Sequence, residues 1–427
     1  MSINVVTLGC AKNLVDSETL LAQLRANGIA AGHETRNGAR TVIINTCGFI
    51  ETAKRESIDT ILQFVGEKRQ GRIDKLYVTG CLSERYRADL EKEIPEVDAW
   101  FGTRDLPRLL KTFNADYKHE LVGERLLTTP QHYAYLKISE GCDRTCSFCA
   151  IPLMRGRHVS VSMEELVRRA AALAKNGTRE LVIIAQDSTF YGIDLYGKRK
   201  LAELLDRLAD VDGIAWIRLH YAYPAGFPLD VLEVIRRRPN ICKYLDLPIQ
   251  HISDRLLRSM RRGLTREKTI ELIGTIRGRV PGIALRTTLI AGYPGETDAD
   301  HEELLRWLEE TRFDRAGVFT YSHEEKTHAF DLADDVPPDV KEDRAAAIRD
   351  LQEGICGEIN REKAGKILTV LFDRKERGEF IGRTEFDSPE VDGVVRVSAK
   401  DHYVRVGDFA QVRIDSADEH DLYGTPV

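Results

Sequence analysis

No apolar run in the chain approaches the roughly 20 residues needed to cross a bilayer. The first residues, Met1-Ser2-Ile3-Asn4, move straight into a strand-like run, without the basic and long apolar regions of a secretory leader. A membrane partner is therefore not expected, and the cytoplasm is the expected compartment. Cysteine is sparse as well: eight thiols in 427 residues read, in that compartment, as metal ligands or buried side chains and not as a disulfide framework. Positive charge is in deficit. A formal charge of −6 and a pI near 6.1 give no general affinity for nucleic acid, yet they permit a basic partner. What is present is a 42% apolar composition, enough to build two or three domains with sizeable cores.

Three of the thiols lie close together in Gly141-Cys142-Asp143-Arg144-Thr145-Cys146-Ser147-Phe148-Cys149, a Cys-x3-Cys-x2-Cys array after the apolar run 134–138. Thiolates this close can wrap one soft metal centre. A cubane iron–sulfur cluster suits three of them, because its fourth iron stays open to an exchangeable ligand. The alternative is a zinc site completed by His158. Structural zinc sites usually pair their ligands as two short knuckles, which this array does not form. With Phe148 before the last cysteine, the array resembles the signature of the radical S-adenosylmethionine (SAM) enzymes. That resemblance implies a 4Fe-4S cluster on Cys142, Cys146 and Cys149 whose open iron is chelated by SAM.

Upstream, three segments share one plan, an apolar β-branched run ending in a thiol: Val5 to Cys10, Val42 to Cys47 and Leu76 to Cys81. Helix-like stretches follow at 17–27, 51–68 and 84–93, and such alternation predicts a parallel sheet with helices on its faces. Strand C-termini gather along one edge of such a sheet, so Cys10, Cys47 and Cys81 are expected to converge. The alternative is three small buried residues at strand ends; three equivalent positions in a chain that already holds one cluster array favour a second cluster. The words Gly9-Cys10-Ala11-Lys12-Asn13-Leu14-Val15-Asp16-Ser17-Glu18, Asn45-Thr46-Cys47-Gly48-Phe49-Ile50 and Gly80-Cys81-Leu82-Ser83-Glu84-Arg85-Tyr86 resemble the N-terminal domain of the methylthiotransferases. They are most similar to the branch that modifies an aspartate of small-subunit ribosomal protein S-twelve. Ala11 stands where that motif has proline. Asp16 and Ser17 read first as a helix N-terminus.

From Tyr133 strands are expected at 134–138, 180–185, 214–219, 244–247, 283–290 and 316–321, with helices at 163–176, 201–209, 230–237, 266–277 and 300–311. Six such units fit a partial (β/α) barrel with its site at the strand C-termini, the open barrel that the radical SAM resemblance also implies. By the same resemblance Gln186 and Asp187 face the SAM amino group, and Gln250, Arg286 and Thr287 lie near its ribose or carboxylate. Each could instead be an ordinary polar strand cap. Ala291-Gly292-Tyr293-Pro294-Gly295-Glu296-Thr297 lacks a Walker lysine and is no nucleotide loop; the resemblance places it by the adenine. Cys242, expected to precede a strand, and Cys356, in a helix, read as buried thiols.

A helix over 340–362 carries Ile348, Leu351, Ile355 and Ile359 at helical spacing. Strands follow at 367–372, 379–385, 391–397 and 409–414, the pattern of a small closed barrel akin to OB folds. The words Gly382-Arg383-Thr384 and Pro389-Glu390-Val391-Asp392-Gly393 resemble the TRAM domain. The expected organisation is thus α/β, with a methylthiotransferase N-terminal domain over 1–118, a radical SAM core over 128–358 and a TRAM domain over 361–427. The slight acidic excess of the last module, with Asp415, Asp418, Glu419 and Asp421 near the end, argues for a cationic protein partner. Direct binding of transfer RNA is not expected.

The resemblance implies a carbon–sulfur bond formed on the β-carbon of an aspartate, a position too weakly acidic for a side-chain base. A radical derived from one SAM would remove hydrogen, the cluster on Cys10, Cys47 and Cys81 would supply sulfur, and a second SAM would methylate it, with electrons from an external reductant. Three other functions share parts of this sequence pattern. A transfer-RNA adenosine methylthiotransferase would carry both clusters but a basic terminal barrel, whereas Ala150-Ile151-Pro152 and Asp187-Ser188-Thr189 read as the ribosomal-protein form. A non-catalytic iron–sulfur scaffold or electron carrier, or an RNA-binding module, would have no use for a SAM site.

Overall fold

The computed structural model describes residues 2–35, 38–118 and 125–427; most of the passage between the first two expected domains lies outside them. Strands β1 (Ser2–Thr7), β2 (Ala30–His33), β3 (Thr41–Thr46), β4 (Lys75–Gly80) and β5 (Ala99–Trp100) form one parallel sheet in the order β2-β1-β3-β4-β5. Side chains alternate across a strand. Ile43 therefore packs with Leu20, Leu21 and Leu24 on one face, while Val42 and Ile44 pack with Ile61 and Val65 on the other. The three thiol-ending strands β1, β3 and β4 are immediate neighbours. The edge strands β2 and β5 were not expected: Ala-Ala-Gly-His and Ala-Trp carry no β-branched residue.

The first helix corrects the sequence reading. It runs Ala11–Ala26, with Cys10 at its N-cap, so Asp16 and Ser17 lie in its interior and cap nothing. Their polar groups have other partners: Asp16 pairs with Lys137 and Arg155, and Ser17 Oγ accepts from Thr7 Oγ1 (2.8 Å) and Asn45 Nδ2 (3.0 Å). The third helix likewise begins at Cys81 itself.

The central sheet is six-stranded and parallel, built from β6 (Tyr133–Lys137), β9 (Glu180–Ile184), β10 (Trp216–Leu219), β11 (Ile241–Asp246), β12 (Ala284–Ala291) and β13 (Arg315–Thr320), paired in that order, with β6 and β13 at its edges. A two-stranded antiparallel pair, β7 (Ser139–Glu140) and β8 (Val159–Ser160), closes the neck of the cysteine loop. The outer face of the sheet is apolar. Leu181, Ile183, Ile217, Leu219, Leu245 and Leu285 pack under helices such as Leu201–Ala209, which buries Leu201, Leu204, Leu205 and Leu208 along one stripe. The alternate residues face the other way and mix polar side chains, Glu180, Arg218, His220 and Asp246, with apolar and aromatic ones, Val182, Ile184, Tyr133 and Tyr135. Strand β11 starts earlier than expected, so Cys242 is its second residue; it is buried against Trp216 and Tyr244.

After the helix Pro338–Arg361 come β14 (Ile367–Glu376), β15 (Glu379–Arg383), β16 (Val395–Ser398), β17 (Phe409–Ala417) and β18 (Leu422–Pro426), which close into a five-stranded barrel. The unexpected strand is β18, which seals the barrel between β16 and β17. The strand expected at 391–397 starts only at Val395, because the segment before it turns into the central sheet. There Arg383 bridges Glu180 (2.7 Å) and Asp373 (2.6 Å), Arg218 reaches Glu180 (2.9 Å), and Arg315 pairs with Asp387 (2.8 Å). Asp392 accepts from Tyr244 Oη at 2.8 Å. Several acids of the C-terminal module are thus spent on buried internal pairs, which weakens the argument that its acidic balance serves a cationic partner. Among the described residues no helix is long and apolar enough to cross a membrane.

Candidate active site

Two trios of thiols are assembled at the strand C-termini. Cys10, Cys47 and Cys81 follow the adjacent strands β1, β3 and β4 and are close enough to act on one another electrostatically: burial pushes the Cys81 thiol up to about 12, and the neighbouring Cys47 and Cys10 add to it. Cys47 is raised by burial, with Cys10 contributing. The backbone makes room for this meeting at Gly9 (φ +91°), where a Cβ would come within 2.7 Å of Cys47 Cβ and 3.0 Å of its Sγ. Gly9→Ala is therefore expected to displace Cys47 and lower the iron held by this trio while the other trio keeps its own, read by iron analysis of protein prepared without oxygen. Undiminished iron would show that the Gly9 turn does not shape the site.

The second trio sits in the loop between β7 and β8. Burial raises Cys142 to about 11 and Cys149 to about 12, and Cys149 also feels Cys146 and Cys142. A metal centre bound here would have to displace protons. Arg262 Nη1 donates to Cys146 Sγ (3.2 Å), and Tyr223 Oη lies 3.7 Å from the same sulfur. Tyr223 is flanked by two guanidinium groups, Arg144 at 4.0 Å and Arg262 at 4.4 Å from its ring centre. Ser147 Oγ meets Tyr293 Oη at 2.9 Å, so the glycine-rich segment braces the loop from below. Among the described residues no group of three His, Cys, Asp or Glu side chains is drawn tightly enough to grip a single metal ion. His158, the alternative zinc ligand, turns to Ser160 Oγ at 2.9 Å.

The remaining expected site residues divide. Gln186 and Asp187 lie beside the second trio: Gln186 Nε2 donates to Glu140 Oε1 (2.8 Å) and leaves its own Oε1 buried without a partner, while Asp187 Oδ2 accepts from Arg144 Nε at 2.7 Å. Arg144 Nη2 is also buried and unpartnered. These orphaned groups, an acceptor and a donor beside three thiols, suit a zwitterionic ligand. Gln250 holds a left-handed backbone (φ +78°) and bridges to Leu289 just beyond β11, two residues after Pro248, whose carbonyl accepts from Arg262. Arg286 and Thr287 have protein partners on β11 and beyond it. Arg286 is occupied by Asp246 and Asp392, each at 3.3 Å, and Thr287, one residue on, faces the opposite side of the strand, where its hydroxyl donates to Leu247 O (2.9 Å).

One residue that sequence reasoning left unassigned links the first trio to the central domain. Arg155 Nε donates to Cys81 Sγ (3.3 Å), and its Nη1 reaches Asp16 (2.6 Å) and Glu140 (3.2 Å). Glu140 continues the chain to Gln186. Burial alone would raise the Glu140 carboxyl, but Lys137 and Arg155 beside it win and hold it near 2. The only signal in the sequence was position, because Arg155 lies just after the cysteine array in Met154-Arg155-Gly156-Arg157-His158.

Family models match the chain in three stretches: an uncharacterized protein family, UPF0004, over residues 2–102, the radical SAM superfamily over residues 136–308, and the TRAM domain over residues 364–427. The chain is 63% identical over 426 residues to the ribosomal protein uS12 methylthiotransferase RimO of Cytophaga hutchinsonii, covering 100% of this chain and 98% of that one. It is 60% identical to the protein of the same name from Flavobacterium johnsoniae, again over 100% and 98%, and 53% identical to one from Porphyromonas gingivalis, over 100% and 99%. Among solved structures, the radical SAM methyltransferase TsrM of Kitasatospora setae superposes with a TM-score of 0.56 at 15% identity, covering 74% of this chain and 72% of that one. The cobalamin-dependent radical enzyme OxsB gives 0.52 at 14% identity over 83% and 56%. At these identities the structural likeness concerns the fold alone.

Proposed function

The chain belongs to the ribosomal protein uS12 methylthiotransferase (RimO) family of radical SAM enzymes, and from that premise we propose that it adds a methylthio group to the β-carbon of an aspartate in that ribosomal protein. Its cofactors are two 4Fe-4S clusters and SAM. Cys142, Cys146 and Cys149 hold one cluster and Cys10, Cys47 and Cys81 the other. When bound, these groups supply the electron transfer, carbon–sulfur cleavage and transferable sulfur that no side-chain acid or base can provide. The chain's own residues bind, orient and exclude water. Arg262 offers a charge-assisted hydrogen bond to Cys146. Gln186 presents its free acceptor to the SAM amino group, Asp187 fixes the Arg144 guanidinium above Tyr223, and Gln250 borders the same mouth.

The observation that supports this reading most is the bridge from Cys81 through Arg155 and Glu140 to Gln186. It links a thiol of the first trio, across two sheets, to the residue proposed to face SAM. The domain limits we infer are 1–118, 128–358 and 361–427. The electrons come from an external reductant, the setting is the cytoplasm, and transfer RNA is not the substrate.

Anaerobic reconstitution with iron, sulfide, SAM and reductant, offering uS12 and transfer RNA in parallel with mass spectrometry of both, tests the reading. Methylthiolated uS12 alone is expected; modified RNA, or neither product, overturns it. The Cys47→Ala variant is expected to cleave SAM without inserting sulfur, and methylthiolated uS12 from that variant would remove the sulfur role from this trio.

A further inference from the structure

Lys12 is a cation in an unfavourable place. It occupies the first turn of the helix Ala11–Ala26, where the helix dipole opposes positive charge and no acidic residue compensates. It is only 8% exposed, and a buried ammonium without a counter-charge is costly. Among the described residues its one partner is the ring of Tyr221, whose centre lies 3.0 Å from Nζ. A ring face satisfies one side of an ammonium that carries three donors.

The surroundings are arranged to keep that ammonium unpaired. Tyr221 follows β10 in a left-handed backbone conformation (φ +58°), held there because its N–H donates to Asp246 Oδ2 (3.1 Å) and its carbonyl accepts from Ser188 N (3.0 Å). Backbone strain of this kind persists where surrounding structure enforces it, and it concentrates at functional sites. The nearby carboxylates have other partners: Asp246 pairs with Arg286, Asp392 with Arg286 and Tyr244, and Glu390 with Tyr133 and Tyr135, 3.1 Å each. Among the described residues no carboxylate pairs with the Lys12 ammonium, which marks one defined point. That point is two residues from Cys10, and the Tyr221 carbonyl beneath it is joined to the residue after Asp187.

We propose that the Lys12 ammonium, seated on the Tyr221 ring, binds the side-chain carboxylate of the substrate aspartate. This rests on the reading of the chain as an aspartate methylthiotransferase. Held there, the carboxylate fixes rotation about the aspartate side chain, so that its β-carbon faces the space between the two thiol trios, and an asparagine in the same loop loses the charge that seats it. The carboxylate of SAM is the other source of the same chemistry, and the N-terminal cluster is a second possible counter-charge. The experiment separates all three.

Lys12→Met and Lys12→Arg are compared with the wild type as loaded enzymes, using uS12 and its Asp→Asn form at the target position. Truncating one partner of a buried charge pair lowers apparent affinity by at least about thirtyfold. Lys12→Met is accordingly expected to raise the KM for uS12 by that factor and to lose discrimination between the aspartate and asparagine substrates, with Lys12→Arg restoring part of both. Iron per chain and the dissociation constant for SAM should stay within about twofold. Retained discrimination, a fall in SAM affinity, or a loss of iron each overturns the assignment. A wild-type enzyme that fails to modify uS12 at all instead overturns the underlying function, so the two failures are distinguishable.

Discussion

Cys146→Ala abolishes SAM cleavage while the N-terminal trio keeps its iron. The expectation is total because the loss is twofold at one atom. The substitution removes the central ligand of the array and strands the Arg262 guanidinium, which is fully buried in the loop, donates Nη1 to that sulfur, and already has its Nε without a partner. Cys142 and Cys149 alone are too few thiols to hold a four-iron cluster, so partial loading does not rescue the array. Chromatography of 5′-deoxyadenosine after anaerobic incubation with reductant reads the result. Cleavage at the wild-type rate would place radical generation elsewhere in the chain.

The second large effect concerns stability and lies far from the sulfur chemistry. Glu180 is fully buried between Arg218 and Arg383, and Arg383 also holds Asp373, whose other oxygen meets His132 Nε2 at 2.9 Å. Removing Glu180 takes from Arg218 its carboxylate and from Arg383 one of two, so Glu180→Ala is expected to destabilise the protein by about 3–5 kcal/mol, seen as a lowered urea midpoint. The network also sets an acid limit. Burial would raise the Glu180 carboxyl, but Arg383 and Arg218 hold it below its ordinary value, and Asp373 is held down in the same way by Arg383 and His132. A carboxylate depressed in the folded state contributes stability that is full above its unfolded value, about 4.3 for glutamate, and is lost as pH falls towards the depressed value. Wild-type stability should therefore decline on acidification below about pH 5, and Glu180→Ala should show a shallower decline. Equal slopes for the two proteins would show that the pair titrates alike folded and unfolded.

Much of this architecture could be read from the sequence where local pattern and burial agree. Strands β1, β3 and β4 are legible as β-branched runs, and their shared thiol endings place Cys10, Cys47 and Cys81 on one edge. The short strands β2, β5 and β18 were illegible because pairing, and not residue preference, makes them extended: Ala-Ala-Gly-His becomes a strand only beside β1. Helix starts failed for a related reason. Asp16 and Ser17 look like caps, yet the helix had already begun at Cys10, and their side chains are recruited by Lys137, Arg155 and Asn45 from elsewhere in the fold. Contacts between domains left no local trace at all. Neither Arg155 reaching Cys81 nor Arg383 reaching Glu180 across 203 positions of sequence follows from periodicity.

The proposed chemistry requires that the two sets of thiols, in separate parts of the chain, each hold an iron–sulfur group of its own. Iron and acid-labile sulfide, measured per chain after anaerobic reconstitution in the wild type, in a Cys10→Ala, Cys47→Ala, Cys81→Ala triple variant and in a Cys142→Ala, Cys146→Ala, Cys149→Ala triple variant, address that directly. About eight irons in the wild type and about four in either variant are expected for two four-iron clusters. About four irons in the wild type, or a variant that keeps the full complement, would contradict it.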